Sequence, residues 1–426
     1  MTQQERRGWV IVASLFAVLL LIAGAGANTF GIFLPALLKA FPHWSRARVA
    51  LLPSALFFSW GVSVIPVGWL LDRVEARILL IFGAIAAGGG FLIASRSNSF
   101  SPMIAAYLLL GLGISAGTLA PAAFVLANWF EARRGLAMGI TMAGTTAGGM
   151  AMTLVANQVI ADSGWRAAYV VLGLPMIVVV VPLTALVVRS RPPRVAPGAA
   201  PQANESARYV QMTVAQGANL LEGFEAPEAL RTRSFWMLVI AHFCFGLVAV
   251  GTVVHLIAYL EGLGYTAGSA ALAMSILFGL GALGKVLLGH MADRIGARLA
   301  LVADFAAAAL AFLLVFGAAR VLVLVVFILA FGIVAAAPVA LLPLLVAESL
   351  GRRRFGVLAA LTGIAATMGA TIGPVIAGRI FDVTGSYAGA FELFILAYAV
   401  GALATFVCQS YAQSAGIRSA PAPASA

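Results

Sequence analysis

The stretch Ile276–Arg298, ILFGLGALGKVLLGHMADRIGAR, decides how the rest of the chain is read. It opens as an apolar helix with small packing positions at Gly279, Gly281 and Gly284. It carries one charge, Lys285, and ends in Asp293, Arg294 and Arg298. The chain has only two lysines, Lys39 and Lys285, and Lys285 is the only Lys or Arg well inside an apolar run. A charge there costs at least ~2.5–3.5 kcal/mol on insertion scales, so it needs a partner or a water-filled cavity. Lys285 precedes Asp293 by roughly 12 Å of helix, which puts it near mid-membrane. Two partners are open to it: a small organic anion, or Asp304, which enters the next helix at a similar depth.

Composition agrees with a membrane setting. The 426 residues are 62% hydrophobic and 10% charged, with a mean hydropathy of +1.04. Soluble domains carry about 25% charged residues, so the chain reads as a polytopic membrane protein. Its +11 charge sits in short loops between apolar runs, as the positive-inside rule requires, and nucleic acid is not an expected partner. Cys244 and Cys408 fall in apolar helices far apart and read as inert buried thiols. The first apolar run, from Trp9, is too long for a cleavable signal peptide.

With about 20 apolar residues per crossing, the sequence predicts twelve helices, at 9–34, 49–71, 77–96, 101–127, 134–161, 165–188, 234–260, 266–290, 297–317, 320–346, 354–381 and 387–411. The expected organisation is a six-helix half over 1–188, a linker over 189–233, a second half over 234–411 and a disordered tail over 412–426. Residues near 215–230 are expected to form a surface helix within the linker. Counting basic residues places both termini and the linker in the cytoplasm. That side then holds eighteen: Arg6, Arg7, Arg73, Arg77, Arg133, Arg134, six in the linker, Arg294, Arg298, Arg352–Arg354 and Arg418. The outer side holds seven: Lys39, Arg46, Arg48, Arg96, Arg166, Arg320 and Arg379.

The two halves repeat. Gly68, Asp72, Arg73 and Arg77 recur 221 residues on as Gly289, Asp293, Arg294 and Arg298. Arg134 and Asp162 recur 220 residues on as Arg354 and Asp382. Two parallel six-helix halves imply a substrate path along their interface. The expected fold is an all-α membrane protein with twelve transmembrane helices in two pseudo-symmetric halves.

These motifs resemble the major facilitator superfamily of transporters. GWLLDRVEAR, from Gly68, and GHMADRIGAR, from Gly289, are similar to that family's loop motif; the first copy has Glu75 where the motif has glycine. A narrower resemblance, covering most of the chain, is to the monocarboxylate transporter and oxalate/formate antiporter group. Arg7-Gly8-Trp9 resembles its opening motif, and NWFEARRGLAMGITMAG, from Asn128 to Gly144, its fifth-helix signature. HLIAYLEGLG, from His255, is similar to the end of its seventh helix. Lys285 matches the group's basic, carboxylate-binding position, which is usually arginine in animal members. Three departures stand beside these matches. Gly281 replaces an aspartate common in animal relatives, Gly262 falls where relatives carry an acid, and the first helix lacks the group's lysine.

Each candidate site residue has a structural alternative. Lys285, Asn28, Asn157 and His255 are the candidates for substrate binding; asparagine and histidine also serve as hydrogen-bonded glue between helices. Glu261 and Asp304 are the candidates for proton coupling, and Asp304 equally reads as structural. Gly68, Asp72, Arg73, Arg133, Arg134, Gly289, Asp293, Arg294 and Arg354 read as gates that lock the halves at their cytoplasmic ends. No nucleophile, paired carboxylate, P-loop or metal-ligand spacing appears, so neither an enzyme nor a pump is expected, and no cofactor or metal. The expected function is secondary transport of a small organic anion, a monocarboxylate, by proton symport or anion exchange. The setting implied is a bacterial inner membrane, with lipid and protons as further partners and a monomeric state. A multidrug exporter of the same fold is the alternative.

Overall fold

An apolar bilayer core of about 30 Å fixes the length of every spanning helix. The computed structural model describes residues 3–71, 73–130, 134–189 and 223–411. Among these, eleven helical runs are long and apolar enough to cross a membrane. One of them, Leu136–Val187, has 52 residues; straight, it would reach roughly 78 Å, more than twice the bilayer core. It is broken at Gly164, whose φ of 82° and ψ of 169° leave the helical region. Its ends return to one face, because the Trp129 indole donates to the Arg189 carbonyl at 2.7 Å. The run therefore folds back on itself as two antiparallel segments.

The first half contains α1 (Gln3–Leu19), α2 (Ala25–Asn28), α3 (Phe30–Ala40), α4 (Arg46–Leu71), α5 (Ala76–Arg96), α6 (Phe100–Gly117), α7 (Leu119–Trp129), α8 (Arg134–Pro175) and α9 (Val181–Val187). A short α10 (Ala226–Ala229) ends the linker. The second half contains α11 (Arg233–Gly262), α12 (Ala267–Ile295), α13 (Ala297–Leu313), α14 (Val321–Val334), α15 (Pro338–Leu350), α16 (Phe355–Thr384) and α17 (Ala388–Val407). The expected surface helix near 215–230 is described only as α10; the remainder of that stretch and the expected disordered tail lie outside the described residues.

Four crossings expected as single helices are interrupted. The first carries a π turn at Leu20–Gly24 and a break at Thr29. The fourth breaks at Thr118, whose φ and ψ are −132° and −109°. The sixth has a π turn at Met176–Val180, directly after Pro175. The tenth breaks between Val334 and Pro338, a residue with no N–H to continue the ladder. Thr29 and Thr118 each donate to a carbonyl four residues back, at 2.6 Å. Such breaks persist in a membrane only where the freed backbone is buried in protein or lines a water-filled cavity.

Small residues set the closest crossings. Gly24 on the first crossing meets Gly148 on α8, so a Cβ at either would strike the other's backbone. The counterparts Gly246 and Gly369, 222 and 221 residues on, meet the facing backbones of α16 and α11 in the same way. The repeat thus extends from the loops into the packing. Each half has an aromatic core: Phe33 stacks on Tyr169 at 4.1 Å in the first, and Phe312 packs edge-on against Phe331 at 5.0 Å in the second.

Candidate functional site

The site lies where α8 of the first half runs beside α12 of the second. The Ser275 hydroxyl donates to the Met150 carbonyl at 2.9 Å. Nearly three helical turns further along α12, Lys285 Nζ donates to Thr146 Oγ1 at 3.1 Å. Lys285 is half-buried and Thr146 is 7% exposed. The neighbouring Thr145 carbonyl accepts from Asn28 Nδ2 at 3.3 Å. Lys285 and Asn28 therefore approach one point, residues 145–146, from opposite halves.

The ion pair between Lys285 and Asp304 that the sequence allowed is absent. Among the described residues the ion pairs are Arg77–Glu75 at 3.2 Å, Arg353–Glu225 at 3.2 Å and Arg354–Glu225 at 2.8 Å. Asp304 is 1% exposed, and neither carboxyl oxygen has a hydrogen-bond partner. It lies beside Phe305, which packs against Tyr398 of α17 at 6.0 Å. The two residues point to different neighbours: Lys285 towards the first half, Asp304 into the second half's own core.

The other two substrate candidates sit away from this point. Asn157 faces Gly268 near the far end of the α8–α12 seam. His255 is fully buried, with Nε2 2.8 Å from the Pro374 carbonyl and Nδ1 3.0 Å from the Tyr387 hydroxyl. The Pro374 carbonyl only accepts, so Nε2 carries a proton. Arg46 donates to the Tyr387 oxygen at 2.7 Å, which leaves the phenolic proton for Nδ1. Burial pushes the Tyr387 phenol up to about 12, against a downward pull from Arg46, so it stays neutral and able to donate. The Arg46 guanidinium also lies 3.7 Å over the Phe381 ring. Glu261 is half-buried near this cluster, at the end of α11.

Across the interface, contacts are graded. At the face opposite the linker, Asp382 accepts the backbone N–H groups of Arg46 and Ala47, each at 2.9 Å. A Cβ on Gly378 would meet Ala47 N at 2.7 Å. At the linker face, nothing lies within 4 Å of a Cβ at Gly68, Gly139, Gly289 or Gly356. Among the described residues, every hydrogen bond joining the halves lies at Lys285 or beyond it towards the opposite face. The interface is therefore closed at the opposite face and parted at the linker face.

The gate candidates lie at this parted end. Asp293 and Arg294 are exposed and form no ion pair among the described residues. Arg73 lies 3.7 Å over the Trp69 ring and donates to its carbonyl at 3.1 Å. Arg354 pairs with Glu225, beside the linker's end. Asp72, Arg133 and the Arg134 side chain lie outside the described residues.

Sequence reasoning missed two participants. Thr146 gave no signal, since a threonine in an apolar helix is unremarked. Asp382 was noticed only as one member of the repeat; a helix that begins with Arg46 and has no acid of its own in its first turn is the clue to its role.

Two broken-helix bundles with a cation at their seam define a membrane transporter. The Major Facilitator Superfamily profile matches residues 16–319 and 261–425, and the chain belongs to that superfamily. It is 27% identical over 416 residues to monocarboxylate transporter 13 of Rattus norvegicus, covering 92% of this chain and 87% of that one. It is 30% identical over 232 residues to the oxalate:formate antiporter of Oxalobacter formigenes, covering 54% of this chain and half of that one. A bacterial homologue of the human lysosomal transporter Spinster, solved inward-facing and unoccupied, aligns with a TM-score of 0.72 at 16% identity, over 99% of this chain and 100% of that one. At that identity the likeness concerns the fold alone.

Proposed function

We propose that this chain is a secondary transporter that moves a small organic anion, a monocarboxylate, by alternating access between its two halves. The observation that carries this reading is Lys285: a cation within an apolar helix whose described partner is a neutral hydroxyl of the opposite half. Intramembrane charges persist where they serve a function. An ammonium is a compact point charge that pairs with a carboxylate. The similarity to a monocarboxylate transporter supports the same substrate class, and that to an oxalate:formate antiporter supports small carboxylates more broadly. Asn28 completes the polar lining beside Thr145.

In this reading the halves are 1–188 and 234–411, the linker face is cytoplasmic, and the membrane is a bacterial inner membrane. On this reading the protein is a monomer and its parted linker face corresponds to an inward-facing state. Asp72, Arg73, Arg133, Arg134, Asp293, Arg294 and Arg354, with Gly68 and Gly289, come together when that face closes. Transport runs as exchange or with a proton, for which Glu261 and Asp304 are the candidate carriers.

Purified protein in proteoliposomes tests the reading. Accumulation of radiolabelled formate, acetate, lactate or pyruvate is expected in wild type and not in Lys285→Ala. Uptake of a cationic dye with no carboxylate uptake would establish the exporter alternative instead.

A further inference from the structure

Several helical threonines in this protein give their proton to their own helix, while Thr141, Thr184, Thr252 and Thr405 have no described partner. Thr29, Thr118, Thr145, Thr153, Thr362 and Thr371 each donate to a carbonyl three or four residues back. Thr146 is different. Its described hydrogen bond is one it accepts, from Lys285 Nζ, and the nearby Met142 carbonyl is taken by Thr145. A hydroxyl holds one donor and two acceptor lone pairs, so Thr146 keeps a proton to give. The ammonium has three donors, one of which goes to Thr146. Two donor atoms 3.1 Å apart, one on each half, thus stand side by side with N–H and O–H to offer.

Resting on the function proposed above, we propose that Thr146 is the second ligand of the substrate carboxylate. One carboxylate oxygen takes an N–H from Lys285 and the other takes the O–H of Thr146, so a single carboxylate bridges the two halves. Asn28 aside, the seam around this pair is apolar or small, with Met150 facing Gly279. No other Lys or Arg occurs in 135–165 or in 266–293. A second carboxylate on the substrate would find no cation there, so the site selects monoanions over dicarboxylates. Thr146 is then a specificity-determining residue supplied by the half that lacks the charge.

Full-length protein in nanodiscs is titrated with formate, acetate, lactate and pyruvate, and with oxalate, malonate and succinate, by calorimetry. Wild type is expected to bind at least one monocarboxylate and no dicarboxylate of similar size as tightly. Thr146→Val keeps the shape and removes the hydroxyl, and should weaken that binding about 10-fold or more. Thr146→Ser should stay within about 2-fold. In a Lys285→Ala background Thr146→Val should change little, since the bridge is already lost. Wild-type affinity in Thr146→Val, or Thr146→Ser as damaging as Thr146→Val, would overturn the assignment and leave the transport reading intact. Preference for a dicarboxylate would overturn the single-charge selectivity. Binding of no carboxylate at all would remove the transport reading, and this one with it.

Discussion

Asp382, at the end of α16 in the second half, caps the helix that begins at Arg46 in the first. Its two oxygens accept from Arg46 N and Ala47 N, each at 2.9 Å. The first N–H groups of a helix have no partner within it, and a carboxylate there also meets the positive end of the helix dipole. Ser45 of the same half accepts from Arg48 N at 3.2 Å; the two Asp382 bonds are added across the interface, so they exist only while the opposite face is closed. Its repeat counterpart, Asp162, instead accepts from Gln158 at 2.9 Å, and α12 is capped by its own Thr266. One of two symmetry-related positions therefore carries the lock.

Asp382→Ala should loosen that face. Losing an N-cap costs about 1 kcal/mol, close to a fivefold shift in the balance of two states. A cysteine at Thr367, beside Gly61 in the same seam, should then react several-fold faster with a membrane-impermeant thiol reagent applied from the opposite face. Cys244 and Cys408 are buried and give little background. An unchanged labelling rate would mean that the cap does not hold the face shut.

Lys285→Ala and Asp304→Asn should act independently. The residues form no ion pair and face different helices. Their effects on thermal unfolding should add to within ~0.5 kcal/mol. Lys285→Ala alone should weaken monocarboxylate binding by ~2–3 kcal/mol, after desolvation offsets part of the Coulomb gain. Rescue of Lys285→Ala stability by Asp304→Asn would show a coupling that the geometry lacks.

Gly148→Ala and Gly369→Ala should each lower the melting temperature, because their Cβ atoms would strike backbone of the facing helix. Overpacking of this kind typically costs ~1–3 kcal/mol. Gly139→Ala and Gly289→Ala, which have open space at that position, should leave the melting temperature unchanged. They should slow transport if the linker face closes on them. Measuring melting and uptake on all four variants separates packing from gating.

Cys408 should resist alkylation. Burial raises its thiol from 9.0 to about 12, a shift that the nearby Arg298 only partly opposes. A raised value keeps the unreactive thiol form near pH 8. Mass spectrometry should show Cys408 unmodified by a permeant maleimide in the folded protein and modified at once in detergent-unfolded chains.

The crossings and the repeat were legible because apolar run length and spacing are one-dimensional properties. The depth of Lys285 was legible for the same reason. Its direction was not: an equal depth for Lys285 and Asp304 says nothing of rotation about each helix axis, and that rotation separates them. The π turns at Leu20–Gly24 and Met176–Val180 were also hidden, since they change hydrogen bonding without changing hydropathy. His255 looked like a lining residue from its place in an apolar helix. Its two nitrogens are in fact engaged within the second half, a fact set by Tyr387, 132 residues away in sequence.

The Lys285–Thr146 contact also has an electrical consequence. A hydroxyl does not neutralise an ammonium, so on the proposed reading the unloaded molecule keeps a unit of positive charge near its centre, and the molecule loaded with a monoanion keeps none. A unit charge crossing the whole field experiences ~2.3 kcal/mol per 100 mV. For a monoanion carried alone, membrane voltage then acts on the return of the unloaded protein and leaves the passage of the loaded one nearly untouched; a co-transported proton gives the charge back to the loaded form, and exchange does without the unloaded return, so the voltage dependence of net flow reports the coupling.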